Sequence, residues 1–234
     1  MISICVPSRG RPTPFREMAE SAKATAEAKI EVVCWLDDDD PTAPDYPQLP
    51  YVRYTGGPRE VQSNLWNRCW AEAQGGIAML GGDDILFITP RWDRMVKNVL
   101  NQWPDRLGMA WGRDQSEWEA EPTLPFVTRQ WIEVTGTFTP PYFHSWYADR
   151  WIWEVAEQVD RDREVPGLLF DHRRWDYAKS GAKLEKDATY RDAIKARAKQ
   201  NPGRLYASPK MLAERQEQAM RLCRAIRAAQ GPVL

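Results

Sequence analysis

Side chains that could bind a ligand follow three short apolar segments of this 234-residue chain. They are Ser8 with Arg9, the four aspartates 37–40, and Asp83 with Asp84. The segments before them, residues 2–7, 30–36 and 77–80, have the length and composition of buried strands. In an open sheet of parallel strands, ligands bind beyond the carboxyl ends of the strands. We therefore expect these polar groups to converge on one crevice.

Carboxylates gathered at one edge of a sheet repel each other unless a cation or a hydrogen-bond donor compensates their charge. Mg²⁺ and Mn²⁺ prefer hard oxygen ligands of this kind. A divalent ion that holds a diphosphate is therefore the simplest explanation of the acidic strand ends. The alternative is structural: aspartates 37–40 could cap a helix or form a turn. For Asp83 and Asp84, which follow two glycines, no helix to cap is obvious.

The elements that must position these groups alternate between strands and helices. Helices are predicted over residues 13–28, 61–73, 92–103, 145–159, 187–200 and 208–229, and further strands over 51–54, 107–111 and 125–135. Thr13 is the expected N-cap of the first helix, with Pro14 as its first residue. Strands separated by helices predict an α/β fold, in which a mostly parallel sheet is flanked by helices.

The net charge of the chain is only −1, but its two parts carry large charges of opposite sign. Residues 173–234 contain 15 Lys and Arg against 6 Asp and Glu and carry +9, while residues 1–172 carry −10. We predict an acidic α/β domain over 1–172 and a basic helical C-terminal region over 173–234 that packs on it. A basic surface favours a polyanionic partner such as DNA. The alternative is that this region is only a solvated helical face.

The chain shows no feature of a membrane or exported protein. No apolar run reaches the roughly 18 residues that span a bilayer, and the N-terminus lacks the pattern of a signal peptide. The four cysteines lie far apart and form no C-x-x-C pair. These features predict a cytoplasmic protein without a thiolate zinc site. They leave the oligomeric state open.

Four segments, taken in order, resemble family-2 glycosyltransferases of the GT-A fold. They are Pro7-Ser8-Arg9-Gly10-Arg11-Pro12, residues 32–38 (VVCWLDD), the helix around Asn67, and residues 77–90 (IAMLGGDDILFITP). The last segment is similar to the DxD region of the family, and a further match covers residues 137–153. The resemblance spans residues 1 to about 172 and implies a GT-A-like catalytic domain, to which the basic helical region is a C-terminal extension.

The resemblance implies which residues would hold a nucleotide-sugar and its metal ion. The nucleotide-binding residues would be Pro7, Ser8, Arg9, Asp37, Asp38 and Asn67, of which Asp37 or Asp38 would hold the base or ribose. Asp83 falls on the second acid of the DxD, the ligand of the metal on the donor diphosphate, with Asp84 beside it. Gly81 stands where the first acid would be, so that half of the motif is missing. His172 is similar to a late histidine that completes the metal site, and the alternative is a structural histidine. The implied cofactor is Mn²⁺ or Mg²⁺.

A sugar transfer with inversion needs a carboxylate that takes the proton of the acceptor hydroxyl. Residues 144–151 (HSWYADRW) resemble the acceptor-side segment of the family, in which an acid opens a helix, and Asp149 is the matching residue. The positive potential at a helix N-terminus stabilises such a carboxylate. Asp171 is the next candidate for this base. The alternative for Asp149 is an acid that stabilises only its own helix.

Aromatic residues and a second histidine surround the expected acceptor site. Trp146, Trp151 and Trp175 flank it in sequence, and an aromatic face there could stack on a sugar ring or a nucleobase. His144 could contact the acceptor or the donor phosphates. The alternative is that His144 is a packed loop residue and that most of the 12 tryptophans belong to the core.

Together these features predict a metal-dependent, inverting glycosyltransferase that moves a sugar from a nucleotide-sugar, foremost a UDP-sugar, to a hydroxyl acceptor. The basic C-terminal region favours a DNA acceptor, for example a hydroxymethylated base such as phages carry, and for a phage-encoded enzyme the site of action is the host cytoplasm. A carbohydrate or protein acceptor is the alternative within this class. Two alternatives are not glycosyltransferases. One is a metal-dependent nucleotidyl or phosphoryl transferase, and the other is a non-catalytic nucleic-acid-binding module.

Overall fold

The structure, a computed structural model, describes residues 1–114, 122–144, 146–173 and 187–231. The strands in these residues are β1 (Ile2–Ser8), β2 (Ile30–Asp37), β3 (Val52–Gly57), β4 (Ile77–Leu80), β5 (Ile85–Phe87), β6 (Met109–Asp114), β7 (Phe126–Thr128) and β8 (Asp162–His172). The helices are α1 (Pro12–Thr25), α2 (Gln62–Ala71), α3 (Trp92–Leu100), α4 (Arg129–Thr135), α5 (Ala148–Glu157), α6 (Ala188–Gln200), α7 (Pro202–Tyr206) and α8 (Pro209–Gln230).

All these strands belong to one sheet, in the order β3-β2-β1-β4-β7-β6-β8-β5. The half formed by β3, β2, β1 and β4 is parallel throughout. In the other half, β7 runs antiparallel to β4 and β6, β8 runs parallel to β6, and β5 runs antiparallel to β8. The predicted α/β class, a mostly parallel sheet flanked by helices, is therefore confirmed.

The parallel half explains why polar residues meet at one edge of the sheet. β1 is buried along nearly its whole length, because helices cover both of its faces, and this is why its sequence is almost continuously apolar. Ser8 at the end of β1 lies in register with Leu36 of β2, so Asp37 follows at the same edge. Leu80 of β4 pairs with Cys5 and brings the loop after it to the same side.

Two apolar layers cover the faces of the sheet. One layer contains residues of α1 and α3, and the other contains residues of α2, α4, α5 and α8. The basic helix α8 buries an apolar stripe that includes Met211, Leu222 and Ile226 in the second layer. Its packing against α4 and α5 joins the C-terminal helix to the body of the protein. The predicted division between residues 172 and 173 stays a prediction.

Several elements differ from those predicted, and β5 and α7 were not predicted. Residues 129–135 form α4 instead of continuing a strand, because the Thr128 side chain accepts a hydrogen bond from the Trp131 N–H and caps a helix there. α1 begins at Pro12, with Arg11 in place of Thr13 as its N-cap. β8 escaped prediction because Pro166-Gly167 interrupts its pattern.

None of the helices in the described parts of the chain combines the length and apolarity needed to cross a membrane.

Candidate active site

A cleft of about 1180 Å³ lies where β1 and β2 end. Pro7, Ser8, Arg9, Asp37 and Asp83 line it, together with the start of α2 and its preceding loop. Part of its wall is α6, which contributes Asp192, Lys195 and Lys199. The three polar strand ends thus meet in one crevice, and the C-terminal region helps to enclose it. Asp38, in contrast, is exposed and lies outside the lining.

Asp83 is a buried carboxylate whose two oxygens are both engaged. The Ser8 hydroxyl donates to Oδ2 at 2.6 Å, and the Arg11 guanidinium donates to Oδ1 at 3.2 Å. The Ser8 hydroxyl is in turn 2.8 Å from the Tyr46 hydroxyl. Burial raises the pKa of Asp83, although the neighbouring Arg11 opposes this shift. The acid predicted to hold a metal is therefore held by Arg11 and Ser8.

Arg11 also connects the strand ends to the C-terminal region. Its Nε donates to Oδ2 of Asp187 at 2.5 Å, and its Nη2 donates to Oδ1 of the same carboxylate at 3.3 Å. This bidentate geometry is the strong form of an arginine–carboxylate pair. Asp187 is the N-cap of α6 and accepts a hydrogen bond from the Tyr190 N–H at 2.7 Å. One guanidinium thus joins Asp83 to the start of the helix that lines the cleft.

The four consecutive aspartates separate into different roles. Asp37 lines the cleft and accepts from Arg9 at 3.2 Å and from the Trp35 indole at 3.2 Å. Burial raises the pKa of Asp37, although Arg9 opposes the shift. Asp39 pairs with Arg9 at the surface. Asp40 accepts from the Gly10 N–H at 2.9 Å and so fixes the loop after β1, which matches the structural alternative for this residue.

His172 lies between two carboxylates of neighbouring strand ends. Its Nε2 is 3.5 Å from Oδ1 of Asp84, and its Nδ1 is 3.2 Å from Oδ2 of Asp114. Burial alone would lower the pKa of His172, but the two carboxylates outweigh it and raise the pKa to about 10. Burial likewise opposes ionisation of Asp84, yet His172 lowers the pKa of this carboxyl to about 2. His172 is therefore an imidazolium held by two carboxylates.

These contacts do not fit the metal site that the sequence predicts. Arg11 already compensates the charge of Asp83, and both ring nitrogens of His172 face a carboxylate, that of Asp84 or that of Asp114. Over residues 1–114, 122–144, 146–173 and 187–231, no three His, Cys, Asp or Glu side chains are grouped so that they could hold a metal ion. Asp83 and Asp84 thus pair with different cations, Arg11 and His172, although the charge of Arg11 acts on both carboxyls.

The missing first acid of the DxD-like segment has a steric explanation. A Cβ atom on Gly81 would lie 2.8 Å from Cγ2 of Ile4 and 3.1 Å from the Cys5 carbonyl oxygen. The contact with Ile4 is shorter than Cβ atoms adopt, and the contact with the Cys5 backbone, which cannot easily move, is unusually tight. The Gly81 carbonyl also accepts a hydrogen bond from the Trp66 indole at 2.9 Å. This position therefore packs the loop against β1 and leaves no space for a carboxylate.

Asn67 has partners other than a nucleotide. Its Oδ1 accepts from the backbone N–H groups of Phe138 and Thr139, each at 3.0 Å, and from the Thr137 hydroxyl at 3.0 Å. Its Nδ2 donates to the Thr139 carbonyl at 2.9 Å. Asn67 is not among the residues that line the cleft. Its side chain fixes the loop between α4 and α5, which leads to the predicted acceptor segment.

The predicted base, Asp149, lies in the first turn of α5 and outside the lining of the cleft. Its Oδ1 accepts from the Arg150 N–H at 2.9 Å. Trp146 and Tyr147 just before the helix both have φ of 66°. Non-glycine residues rarely adopt this left-handed conformation, and it concentrates at binding sites. The Trp146 side chain is exposed, and the Arg197 guanidinium carbon lies 3.5 Å from its ring centroid.

The other residues predicted near the acceptor have mixed outcomes. His144 lines the cleft, and its backbone N–H donates to the Gln200 side chain of α6 at 3.2 Å. Trp151 is a core residue instead, because it is buried and its indole donates to Gln218 of α8 at 2.8 Å. Asp171 is buried in β8. Trp175 lies outside the described residues.

Several residues of the cleft were not predicted. They are Arg11, Arg59, Glu60, Asn64 and Lys199, with Asp114 at the neighbouring histidine. Lys195 belongs to the basic region 173–234, which was predicted to favour DNA, and it lines the cleft. The four-residue spacing of Lys195 and Lys199 places them on one helix face, but no sequence signal shows what that face contacts.

Comparison with known proteins gives a likeness of fold and not of sequence. No protein-family profile matches the chain, and no curated protein sequence is significantly similar to it. Among solved structures, 201 chains match, and those described below are glycosyltransferases of the GT-A type. The fold and the cleft at its strand ends therefore define a GT-A-like α/β protein.

Three of these structures illustrate the likeness. TarS residues 1–349 of S. aureus, solved with UDP-GlcNAc, matches with a TM-score of 0.60 at 10% identity, over 96% of this chain and 72% of TarS. The mannosyltransferase PcManGT of Pyrobaculum calidifontis, solved with GDP-Man and Mn²⁺, gives 0.54 at 14% identity, over 100% and 76%. The catalytic domain of Drosophila β1,4-galactosyltransferase 7, solved with xylobiose, gives 0.52 at 12% identity, over 83% and 79%. At such identities the match establishes the fold alone.

Proposed function

We propose that this chain is a glycosyltransferase that takes its sugar from a nucleotide-sugar donor. The observation that carries the proposal is the cleft at the ends of β1 and β2, where Ser8, Asp37 and Asp83 meet in a GT-A fold. Ligands of open α/β sheets bind at this edge. Two of the structural neighbours were solved with a nucleotide-sugar, and two are named as sugar transferases.

The cleft has the size and chemistry that such a donor requires. Its volume of about 1180 Å³ exceeds that of most small-molecule pockets, which measure roughly 300–1,000 Å³. Asp37, held by Arg9, presents carboxylate oxygens that can accept hydrogen bonds from a ribose or a base. Pro7 offers an apolar edge beside it. We therefore assign the nucleoside to the Asp37 end of the cleft.

The transfer that we propose is a direct displacement with inversion. The acceptor oxygen forms its bond to the sugar C1 while the bond from C1 to the phosphate oxygen breaks, and the nucleoside diphosphate leaves with the electron pair. Asp149 takes the proton of the acceptor hydroxyl as general base. Its place in the first turn of α5 supports this role, since the helix N-terminus stabilises a carboxylate.

The acceptor that we propose carries a planar or ring-shaped group next to its hydroxyl. Trp146 is 57% exposed, and Arg197 covers one face of its indole ring. The opposite face of the indole could stack on a nucleobase or a sugar. A hydroxymethylated base in DNA remains our first candidate, and a carbohydrate or protein acceptor is the alternative. One basic residue of the C-terminal region, Lys195, lines the cleft, so its charge faces the proposed donor site.

No step of this proposal passes through a metal ion, because the described acids and His172 do not fit one in this arrangement. The same arrangement speaks against a two-metal nucleotidyl or phosphoryl transferase. Such a site needs several carboxylates around an open space, whereas Arg11 and Ser8 enclose Asp83, and His172 pairs with Asp84.

A thermal-shift screen of nucleotide-sugars tests the donor proposal. The cognate donor at 100 times its Kd should stabilise the fold by about 2.7 kcal/mol, which raises the Tm of a chain of this size by about 5–10 °C. Asp37→Asn should lose much of that shift, because Asp37 lines the cleft, and Asp38→Asn should keep it, because Asp38 does not. If no nucleotide or nucleotide-sugar raises the Tm, the proposed function is wrong.

A further inference from the structure

Lys195 and Lys199 present two positive charges to the cleft. They are one helical turn apart on α6, and both line the cleft. Residues four apart on a helix lie on the same face, so the two ammonium groups can reach the same ligand. Both side chains are exposed. In the part of the chain that the structure describes, neither lysine forms an ion pair with a carboxylate.

Among the described residues that line the cleft, each of the three arginines faces a carboxylate. The pairs are Arg9 with Asp37 at 3.2 Å, Arg11 with Asp83 at 3.2 Å, and Arg59 with Asp192 at 3.7 Å. The acid Glu60 is likewise neutralised, by Arg68 at 2.8 Å. Arg9 also pairs with Asp39, and Arg11 also pairs with Asp187. Lys195 and Lys199 are therefore the described lysines of the lining that face no carboxylate, and they suit an anionic ligand.

We propose that Lys195 and Lys199 bind the diphosphate of the donor, and that Arg11 takes the place of a divalent ion at Asp83. The proposal rests on the proposed function, whose donor carries a diphosphate with two negative charges. Arg11 lies between Asp83 and Asp187 and weakens the repulsion between Asp83 and the phosphates. The lysines donate charge-assisted hydrogen bonds to the phosphate oxygens, which a metal ion would otherwise bind. Donor binding then needs no divalent metal ion.

The same two lysines contribute to the transfer step. When the bond between the sugar C1 and the phosphate oxygen breaks, the electron pair and its negative charge go to the leaving nucleoside diphosphate. Ammonium groups already placed beside these phosphates stabilise that charge as it develops. Lys195 and Lys199 thus lower the energy of the transition state as well as that of the bound donor. This role differs from the DNA contact that the sequence predicts for Lys195.

Isothermal titration calorimetry in EDTA tests the proposal with defined probes. The probes are inorganic pyrophosphate, which does not depend on the identity of the base, together with UDP, GDP and the two nucleosides. The test protein is the full chain with both lysines replaced, Lys195→Ala and Lys199→Ala. The control is Lys210→Ala on α8, which removes one positive charge from an exposed side chain outside the lining of the cleft.

We expect pyrophosphate and one of the two nucleoside diphosphates to bind the wild type in EDTA with unchanged affinity when Mn²⁺ is added. The double variant should bind both probes about tenfold more weakly or worse, since hydrogen bonds to charged groups contribute strongly. The nucleoside should bind the double variant and the wild type equally. Lys210→Ala should behave as the wild type. Because both lysines are exposed, the double variant should keep the wild-type Tm within a few degrees.

Three results would overturn the proposal, and they identify which part fails. If a nucleoside diphosphate binds only with Mn²⁺, a metal holds the diphosphate, and the proposed glycosyltransferase function stands. If the double variant binds diphosphates as well as the wild type but binds duplex DNA more weakly, the lysines belong to an acceptor surface. If no probe or nucleotide-sugar binds with or without Mn²⁺, the proposed function fails together with this inference.

Discussion

Replacement of His172 by glutamine should change the pH dependence of stability in a defined direction. The imidazolium of His172 lies 3.5 Å from Asp84 and 3.2 Å from Asp114, and these carboxylates raise its pKa from 6.5 to about 10 against the opposing effect of burial. The folded state therefore holds a proton that the unfolded state releases near pH 6.5. This stabilisation is complete below pH 6.5 and is lost as the pH rises through 10.

The size of the effect follows from the difference between the two pKa values of His172. At about 1.36 kcal/mol per pH unit, a rise from 6.5 to about 10 corresponds to at most about 5 kcal/mol. The side chain is 18% exposed, so solvent screening reduces this figure, and we expect about 2–4 kcal/mol. For a chain of this length, such a loss lowers the Tm by roughly 5–15 °C.

The assay is urea unfolding of the wild type and His172→Gln at intervals between pH 6 and pH 10.5. Lysines, tyrosines and cysteines titrate in both proteins, so the difference between them isolates His172. That difference should be about 2–4 kcal/mol at pH 6 and should approach zero near pH 10. His144→Gln controls for the loss of an imidazole, because the described residues include no carboxylate paired with His144. A difference that stays constant from pH 6 to pH 10 would refute the charge-pair reasoning.

Three further substitutions test separate parts of the site. Asp149→Asn should lower transfer by about 10²-fold or more at saturating donor without changing donor affinity; unchanged product formation would place the base elsewhere. Gly81→Asp should reduce the free energy of unfolding by about 1–3 kcal/mol in urea, because its Cβ would meet Ile4 at 2.8 Å; equal stability would refute the steric explanation. Trp146→Ala should weaken acceptor binding by about 1–3 kcal/mol, measured as KM, while donor affinity stays constant; an unchanged KM would remove Trp146 from the acceptor site.

The sequence predicts the core of the site because that part depends on local patterns. Apolar runs specify β1, β2 and β4, and their alternation with helices makes the strands parallel. Parallel strands end at the same edge, so the sequence alone places Ser8, Asp37 and Asp83 together. The glycine at position 81 could be read as a departure from the DxD pattern, but its cause, the close approach to Ile4, is a tertiary contact.

The remainder of the site depends on contacts between distant residues. Arg11 and Asp187 are 176 positions apart, and His172 meets Asp114 only because β8 pairs with β6. The sequence shows that negative charge is concentrated at residues 37–40. Only the structure shows that Asp37 lines the cleft and that Asp40 instead accepts a hydrogen bond from the Gly10 N–H. Helical spacing likewise places Lys195 and Lys199 on one face of α6, but it does not show that this face lines the cleft. Such contacts follow from the packing of the whole chain.

The release of nucleoside diphosphate from a nucleotide-sugar tests the central claim most directly. The full chain is incubated in EDTA with single UDP- and GDP-sugars, with and without an acceptor pool of glycans, peptides and hydroxymethylated DNA, and free UDP or GDP is measured. We predict that one donor is cleaved slowly alone and faster with one acceptor class, with a mass increase of one sugar on that acceptor. If the folded protein releases no diphosphate from any donor, with or without added Mn²⁺, the glycosyltransferase assignment is contradicted.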